Sequence, residues 1–239
     1  MKLMAALDRK WAKLQRKLKK LRLRPISVFL FHQVSDEFDE NTMYSCDWTE
    51  TNQFKHNIEE LKKKYRFISL EKAFAMMRRD MFRFRDYAVL TSDDGCASLK
   101  NVLPWLSEQN VPVTLFLNPG YFDGTHYRDK DTEKYLLADD LNYICGHYSN
   151  VSIGSHGWEH TDAKARTESD FREDIKETTE VLKQYLCFVP FHAYTWGKYN
   201  DKTQAILKEL DIVPVFIDNE KNTDDITCIH RELLDGMKL

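Results

Sequence analysis

Short apolar runs alternate with amphipathic stretches along most of this 239-residue chain. Residues 26–33 (Ile-Ser-Val-Phe-Leu-Phe-His-Gln) form the first such run and predict a buried strand with His32 near its end. Runs at 67–70, 88–92, 113–118, 151–154, 187–194 and 213–217 predict further strands, and 227–230 a last short one. Between them apolar residues recur at helical spacing. Phe54, Ile58 and Leu61 mark a helix capped by Thr49 or Thr51 and ending near Tyr65. Others are expected up to about Arg79, at 97–109 with a bend at Pro104, at 133–146 and at 202–210. The longest, capped by Thr167 or Ser169, reaches about Leu186 and turns Phe171, Ile175, Thr178, Val181, Leu182 and Tyr185 inward. Residues 35–48, 119–132 and 218–225 are polar and read as loops. Strand and helix alternating six or seven times point to a single α/β domain around a parallel sheet, open or closed.

Residues 1–24 follow a different pattern. Leu3, Leu7, Trp11, Leu14, Leu18 and Leu21 recur at spacings of four and three, one apolar stripe on a helix that stops at Arg24-Pro25. The chain thus divides into a basic amphipathic helix, 1–24, and a domain, 25–239. The helix carries ten of the 35 Lys/Arg and only one of the 38 Asp/Glu, so the body has twelve more acids than bases. An acidic body argues against nucleic acid as a partner. The basic helix reads either as a membrane-surface element or as a stripe packed on the domain or on a partner.

Hydrophobic residues make up 42% of the chain, enough for a sizeable core, yet no stretch is long enough to span a bilayer. The five cysteines (46, 96, 145, 187 and 228) are odd in number and lack a close pair. That argues against a disulfide framework and for a reducing compartment. No export signal is visible at the N-terminus.

Two features carry candidate chemistry. The apolar run at 88–92 ends in Asp93-Asp94-Gly95, two adjacent carboxylates that repel unless a positive charge sits between them. Taken alone it is a turn or half of a metal site. Past the next strand but one, His156 and His160 stand four apart and can converge with a carboxylate into a zinc-type ligand set. Glu159 directly precedes the second histidine, which is not the metalloprotease arrangement.

Thr91-Ser92-Asp93-Asp94-Gly95 resembles the T-F-D-D-G motif of the polysaccharide deacetylase family, carbohydrate esterase family 4, and Ser155-His156-Gly157-Trp158-Glu159-His160 resembles its S-H-[ST]-x-x-H motif. The stretch 192–200 is similar to the family's F-A-Y-P-Y-G-x-Y-N region, and Phe31-His32-Gln33-Val34 to its Y-H-x-V opening. The resemblance implies a deformed (β/α) barrel of about seven parallel strands. It also implies a metal-dependent hydrolase removing N-acetyl groups from an amino sugar, a unit or intermediate of a bacterial surface polysaccharide. Asp94, His156 and His160 would bind a divalent cation, expected to be Zn2+, and Asp93 would be the general base. A backbone N–H near Trp196 would receive the oxyanion. His230 is the first choice for the general acid, with His32 and His192 in reserve. Tyr194, Trp196 and His32 would contact the sugar.

The chain also departs from the family. Ser92 replaces the usual aromatic residue, which should loosen packing behind the Asp pair. Gly157 replaces a hydroxyl residue, Thr195-Trp196 replaces Pro-Tyr, and Ala193 stands where many members place an arginine that orients the base. These changes make a non-catalytic glycan-binding or assembly protein the competing reading. The cysteines and the N-terminal helix suggest a cytoplasmic enzyme, peripheral at the inner face of the membrane, acting on a nucleotide- or lipid-linked sugar.

Overall fold

The computed structural model describes residues 10–18, 24–38, 47–79, 81–124, 135–218, 222 and 228–239. Seven strands close into a parallel barrel: β1 (Ile26–Phe31), β5 (Tyr87–Ser92), β6 (Val113–Leu117), β7 (Val151–Ser155), β8 (Phe188–Ala193), β9 (Val213–Ile217) and β10 (Ile229–Leu233). Closure comes from β1, which pairs with β5 on one side and β10 on the other, so the two ends of the domain meet there. The short β4 (Arg66–Phe67) adds to the beginning of β5. This is the single-domain (β/α) barrel that the sequence resemblance implied.

Period-two alternation decides which residues face the barrel interior. Ile26, Val28, Val89, Phe116, Phe191, Ala193, Val215 and Ile229 pack into one buried cluster. Leu70, Ala73, Met76 and Met77 of α2 (Leu70–Arg78) close it at the strands' starting end. The opposite parity packs outward. Phe29, Phe31, Leu90, Leu115 and Ile153 lie under α1 (Thr51–Lys64), α3 (Leu103–Glu108) and α4 (Ala138–His147). Tyr194 and Phe216 lie under α5 (Glu168–Leu182) and α6 (Asp201–Glu209).

Several local details differ from the sequence pattern. Glu50, rather than a threonine, caps α1 by accepting the N–H groups of Asn52 and Gln53. The expected 97–109 helix divides into a 3-10 turn, Ala97–Asn101, and α3, whose first turn holds Pro104; proline there starts a helix because its missing N–H would be unused. Thr167 caps α5 as expected, but α5 ends at Leu182. At the two edges of the expected 35–48 loop, Trp48–Glu50 (β3) pairs in parallel with Gln33–Ser35 (β2) in a small second sheet. Cys145 of α4 and Cys187, just before β8, form a disulfide with a Cα–Cα distance of 5.6 Å. This corrects the expectation of thiols without partners: 42 residues separate the two, and only the packing of α4 beside the start of β8 brings them together.

Of the expected N-terminal helix, 10–18 is helical; the rest of the stripe, Leu3, Leu7 and Leu21, lies outside the described residues, as do Cys46 and the expected strand start at Thr227.

Candidate active site

The Asp pair sits where β5 leaves the barrel. Asp93 is hydrogen-bonded through its N–H to the Phe31 carbonyl at 3.3 Å and continues the interior parity of Val89 and Thr91. Asp94 then takes φ 71° and Gly95 φ 72°. A left-handed aspartate is strained, and such strain gathers at functional sites. The turn sends two adjacent carboxylates in different directions, Asp93 into the barrel and Asp94 toward the strand ends.

Asp94 meets His156 and His160 there. Each histidine Nε2 lies 3.3 Å from Asp94 Oδ1, and one ligand atom from each of the three residues falls within 4.8 Å of the others. All three are buried. His156 donates from Nδ1 to the Ala193 carbonyl at 2.7 Å, which turns the Nε2 lone pair toward Asp94. Two imidazoles and a carboxylate fit a divalent cation of the zinc type with a coordination position left over for substrate.

The loop carrying the histidines is held at almost every residue. Asn118, just past β6, donates to the carbonyls of His156 and Gly157 at 2.8 and 3.0 Å. Asp174 of α5 accepts the Trp158 N–H at 2.8 Å and pairs with Arg166. Tyr121 Oη accepts the His160 N–H at 3.0 Å. Gly157 turns the chain at φ 86°, a conformation that favours glycine at the position where the motif carries a hydroxyl residue.

Asp93 is gripped by Arg231 of β10, with Oδ1 and Oδ2 at 2.6 and 2.7 Å from two guanidinium nitrogens. Arg231 is fully buried, lies over the Phe116 ring and donates to the Phe216 carbonyl at 3.3 Å. Burial alone would raise the Asp93 pKa; the charges of Arg231, His156 and His32 outweigh it and hold the carboxyl below its ordinary range. The arginine absent at position 193 is therefore supplied by the last strand. Ser92 behind the pair is fully buried, its Oγ 3.5 Å from the His32 and Asp93 carbonyls.

The candidate acids separate clearly. His32 follows β1 and bonds through Nδ1 to Asp235 Oδ2 at 2.6 Å; Thr49 Oγ1 of β3 donates to the other carboxylate oxygen at 3.2 Å. Burial would keep this imidazole neutral, but Asp235, with Asp94 and Asp93 beyond it, raises its pKa to about 9. His230 is a correction. It neighbours Arg231, and with Arg231 turned inward, alternation turns His230 outward, where Nδ1 pairs with Asp218 at 2.7 Å and Nε2 lies 3.3 Å from Cys228 Sγ. His192 is also outward-facing, bonded to Ser155 Oγ at 2.9 Å, and burial pushes it down to about 3, so it is neutral. Tyr194 is a second correction: it is fully buried among Phe171, Tyr199 and Phe216 and cannot contact a sugar. Trp196 does reach the site. It is 52% exposed, takes φ 52°, and its ring stands edge-on to His160 at 4.5 Å.

Sequence reasoning missed Arg231 and Asp235. Parity could have found the first, because Ile229 and Arg231 share a face that His230 does not. Asp235 lies beyond the last strand and its position gives no local signal.

The sequence matches the polysaccharide deacetylase family over residues 84–215. No curated protein is significantly similar to the chain. Among solved structures, the Streptococcus pyogenes deacetylase PplD in complex with acetate superposes with a TM-score of 0.76 at 17% identity, covering 89% of this chain and 93% of that one. IcaB from Ammonifex degensii gives 0.73 at 18%, covering 89% and 93%. The BpsB deacetylase domain from Bordetella bronchiseptica gives 0.71 at 17%, covering 88% and 96%. At these identities the likeness is one of fold, and the matched segment adds the motifs: the chain belongs to the polysaccharide deacetylase family.

Proposed function

We propose that this deacetylase hydrolyses the N-acetyl group of an amino sugar within a surface polysaccharide or its precursor, and that it depends on a divalent cation, Zn2+ by its ligand chemistry, held by Asp94, His156 and His160. The convergence of those three side chains beside a buried, arginine-held Asp93 carries this reading. A cation bound there supplies Lewis acidity to the acetyl carbonyl and to the attacking water. Asp93, ionised and fixed by Arg231, accepts the water's proton as its oxygen bonds to the acetyl carbon. His32, charged beside Asp235, donates a proton to the nitrogen as the C–N bond breaks. The products are acetate, the molecule bound in the Streptococcus pyogenes structure, and a free amine. Trp196 offers an apolar ring to the sugar, and a backbone N–H beside it is the proposed oxyanion donor.

The non-catalytic alternative rested on the altered third region, Thr195-Trp196 and the missing arginine together. Arg231 beside Asp93 supplies an arginine from another strand, which supports the catalytic reading. The proposed reaction site is cytoplasmic, and one observation stands against it: the Cys145–Cys187 bond favours an oxidising compartment. Trapping thiols in intact cells decides; a reduced pair supports the cytoplasm and an oxidised pair moves the enzyme outside.

The function itself is tested by metal analysis of the purified protein with an acetate-release screen. The screen compares N-acetylated oligosaccharides with O-acetylated ones and with lipid-linked precursors. Zinc-dependent release from an N-acetylated sugar is expected. Stoichiometric metal with release only from O-acetyl substrates would replace the amide reading with an ester one.

A further inference from the structure

The helix at 10–18 is used by none of this chemistry. Residues 10–17 are exposed, with Trp11 at 62% and Leu14 at 44%. Trp11, Leu14 and Leu18 fall on one face at a spacing of three and four, while Lys10, Lys13, Arg16 and Lys17, with Ala12 and Gln15, occupy the remainder without any acidic residue. Trp11 and Leu14 are therefore displayed to solvent rather than packed on the barrel, which leaves a membrane surface or a partner as the occupant of that face.

We propose that this helix is a docking surface for an anionic lipid bilayer. Charge complementarity selects that occupant. A second copy of the helix would bring lysines against lysines. The acidic body, with its excess of twelve carboxylates, would attract the basic side chains of another copy but offers no reason for a tryptophan and a leucine to be displayed beside them. A lipid surface takes both components: Trp11 and Leu14 enter the headgroup–acyl boundary, and the long basic side chains extend to the phosphates. Among the described residues no helix is long and apolar enough to cross a membrane, so the contact is interfacial. The same anionic surface repels the acidic barrel. The enzyme would therefore be held at the membrane by its helix and not by the barrel surface.

The test is co-sedimentation of the full chain with phosphatidylcholine vesicles with and without phosphatidylglycerol. Binding to the anionic vesicles only, weakened by raised salt, is expected. Lys13→Glu/Arg16→Glu/Lys17→Glu and, separately, Leu14→Glu should each weaken partition by about tenfold or more. Thermal melting of each variant, matched to the parent, shows that the barrel is intact. Equal binding to neutral vesicles, no binding to either, or unchanged binding of both variants overturns the proposal. So does concentration-dependent self-association that Leu14→Glu abolishes, which would assign the stripe to a second copy. None of these readings depends on deacetylase activity, so failure here leaves the catalytic proposal standing.

Discussion

The two sides of the candidate site are built in different ways. The ligand side, Asp94 with His156 and His160, is made of short motifs at the ends of β5 and β7, and both motifs lie inside the matched segment 84–215. The proton-transfer side is made from the chain's extremes. His32 comes before that segment, and Arg231 and Asp235 come after it. Arg231 and His32 reach Asp93, and Asp235 reaches His32, because β1 pairs with both β5 and β10. Groups that must share one ion need tight mutual geometry, which two short loops at nearby strand ends can deliver. Groups that only have to face a proton can be supplied by any strand with the right parity.

Substitutions on the two sides should therefore fail differently. His156→Ala removes a ligand, and acetate release should fall by roughly 10³-fold or more together with loss of bound metal. Asp93→Asn should cost about 10²–10⁴-fold while the metal stays bound. Metal stoichiometry measured alongside acetate release checks the contrast. If Asp93→Asn also strips the metal, the division of labour between the adjacent carboxylates is wrong.

Arg231→Leu should be the most destabilising change at the site. It leaves Asp93 buried without its counter-charge, a loss of about 3–5 kcal/mol by comparison with other broken buried pairs. Urea unfolding measures it. The double variant Arg231→Leu/Asp93→Leu should recover much of that stability without activity. A wild-type midpoint for Arg231→Leu would mean that Asp93 finds another partner or takes up a proton at no cost.

These contrasts bear on what the chain reveals before it folds. The barrel was legible because each strand is a short apolar run and each helix has its own stripe. The Asp94–His156–His160 cluster was legible because its motifs are local. The order among the candidate acids His230, His32 and His192 was not, because a histidine at the end of an apolar run, such as His230, looks the same whether it faces the interior or the outside. Only pairing fixes parity, and the register of His230 against Phe216 settles it. Tyr194 failed for the same reason. Cys145 and Cys187 illustrate the larger limit: their approach depends on packing between elements, which spacing does not record.

The His32–Asp235 pair gives the proton-transfer side a pH signature. The folded pKa of His32, about 9, lies above the ordinary value of 6.5. The raised His32 pKa therefore contributes stability fully below about pH 6.5, down to the point where Asp235, whose own pKa burial raises, takes up a proton, and that contribution is lost as pH rises through about 9. Acetate release should fall over the same alkaline range as the acid loses its proton. Asp235→Asn should lower release about 10²-fold at neutral pH and move the alkaline limb down toward the ordinary imidazole range. A limb that stays put in Asp235→Asn would assign it to another group.

The smallest expected effect probes the ligand side through its supports. Asn118 touches no ligand atom, yet it holds the carbonyls of both His156 and Gly157 from the end of β6. In Asn118→Ala those buried carbonyls lose their donor and the loop can relax its left-handed turn. Zinc affinity, read by competition with a chromophoric chelator, should weaken by about 10–100-fold, as for other residues that orient ligands without binding metal. The loss in acetate release should disappear once zinc is in excess, whereas the losses in Asp93→Asn and Asp235→Asn should not. That difference separates a residue that positions the ion from one that moves a proton. Unchanged affinity in Asn118→Ala would mean that the contacts from Asp174 and Tyr121 hold the loop without it.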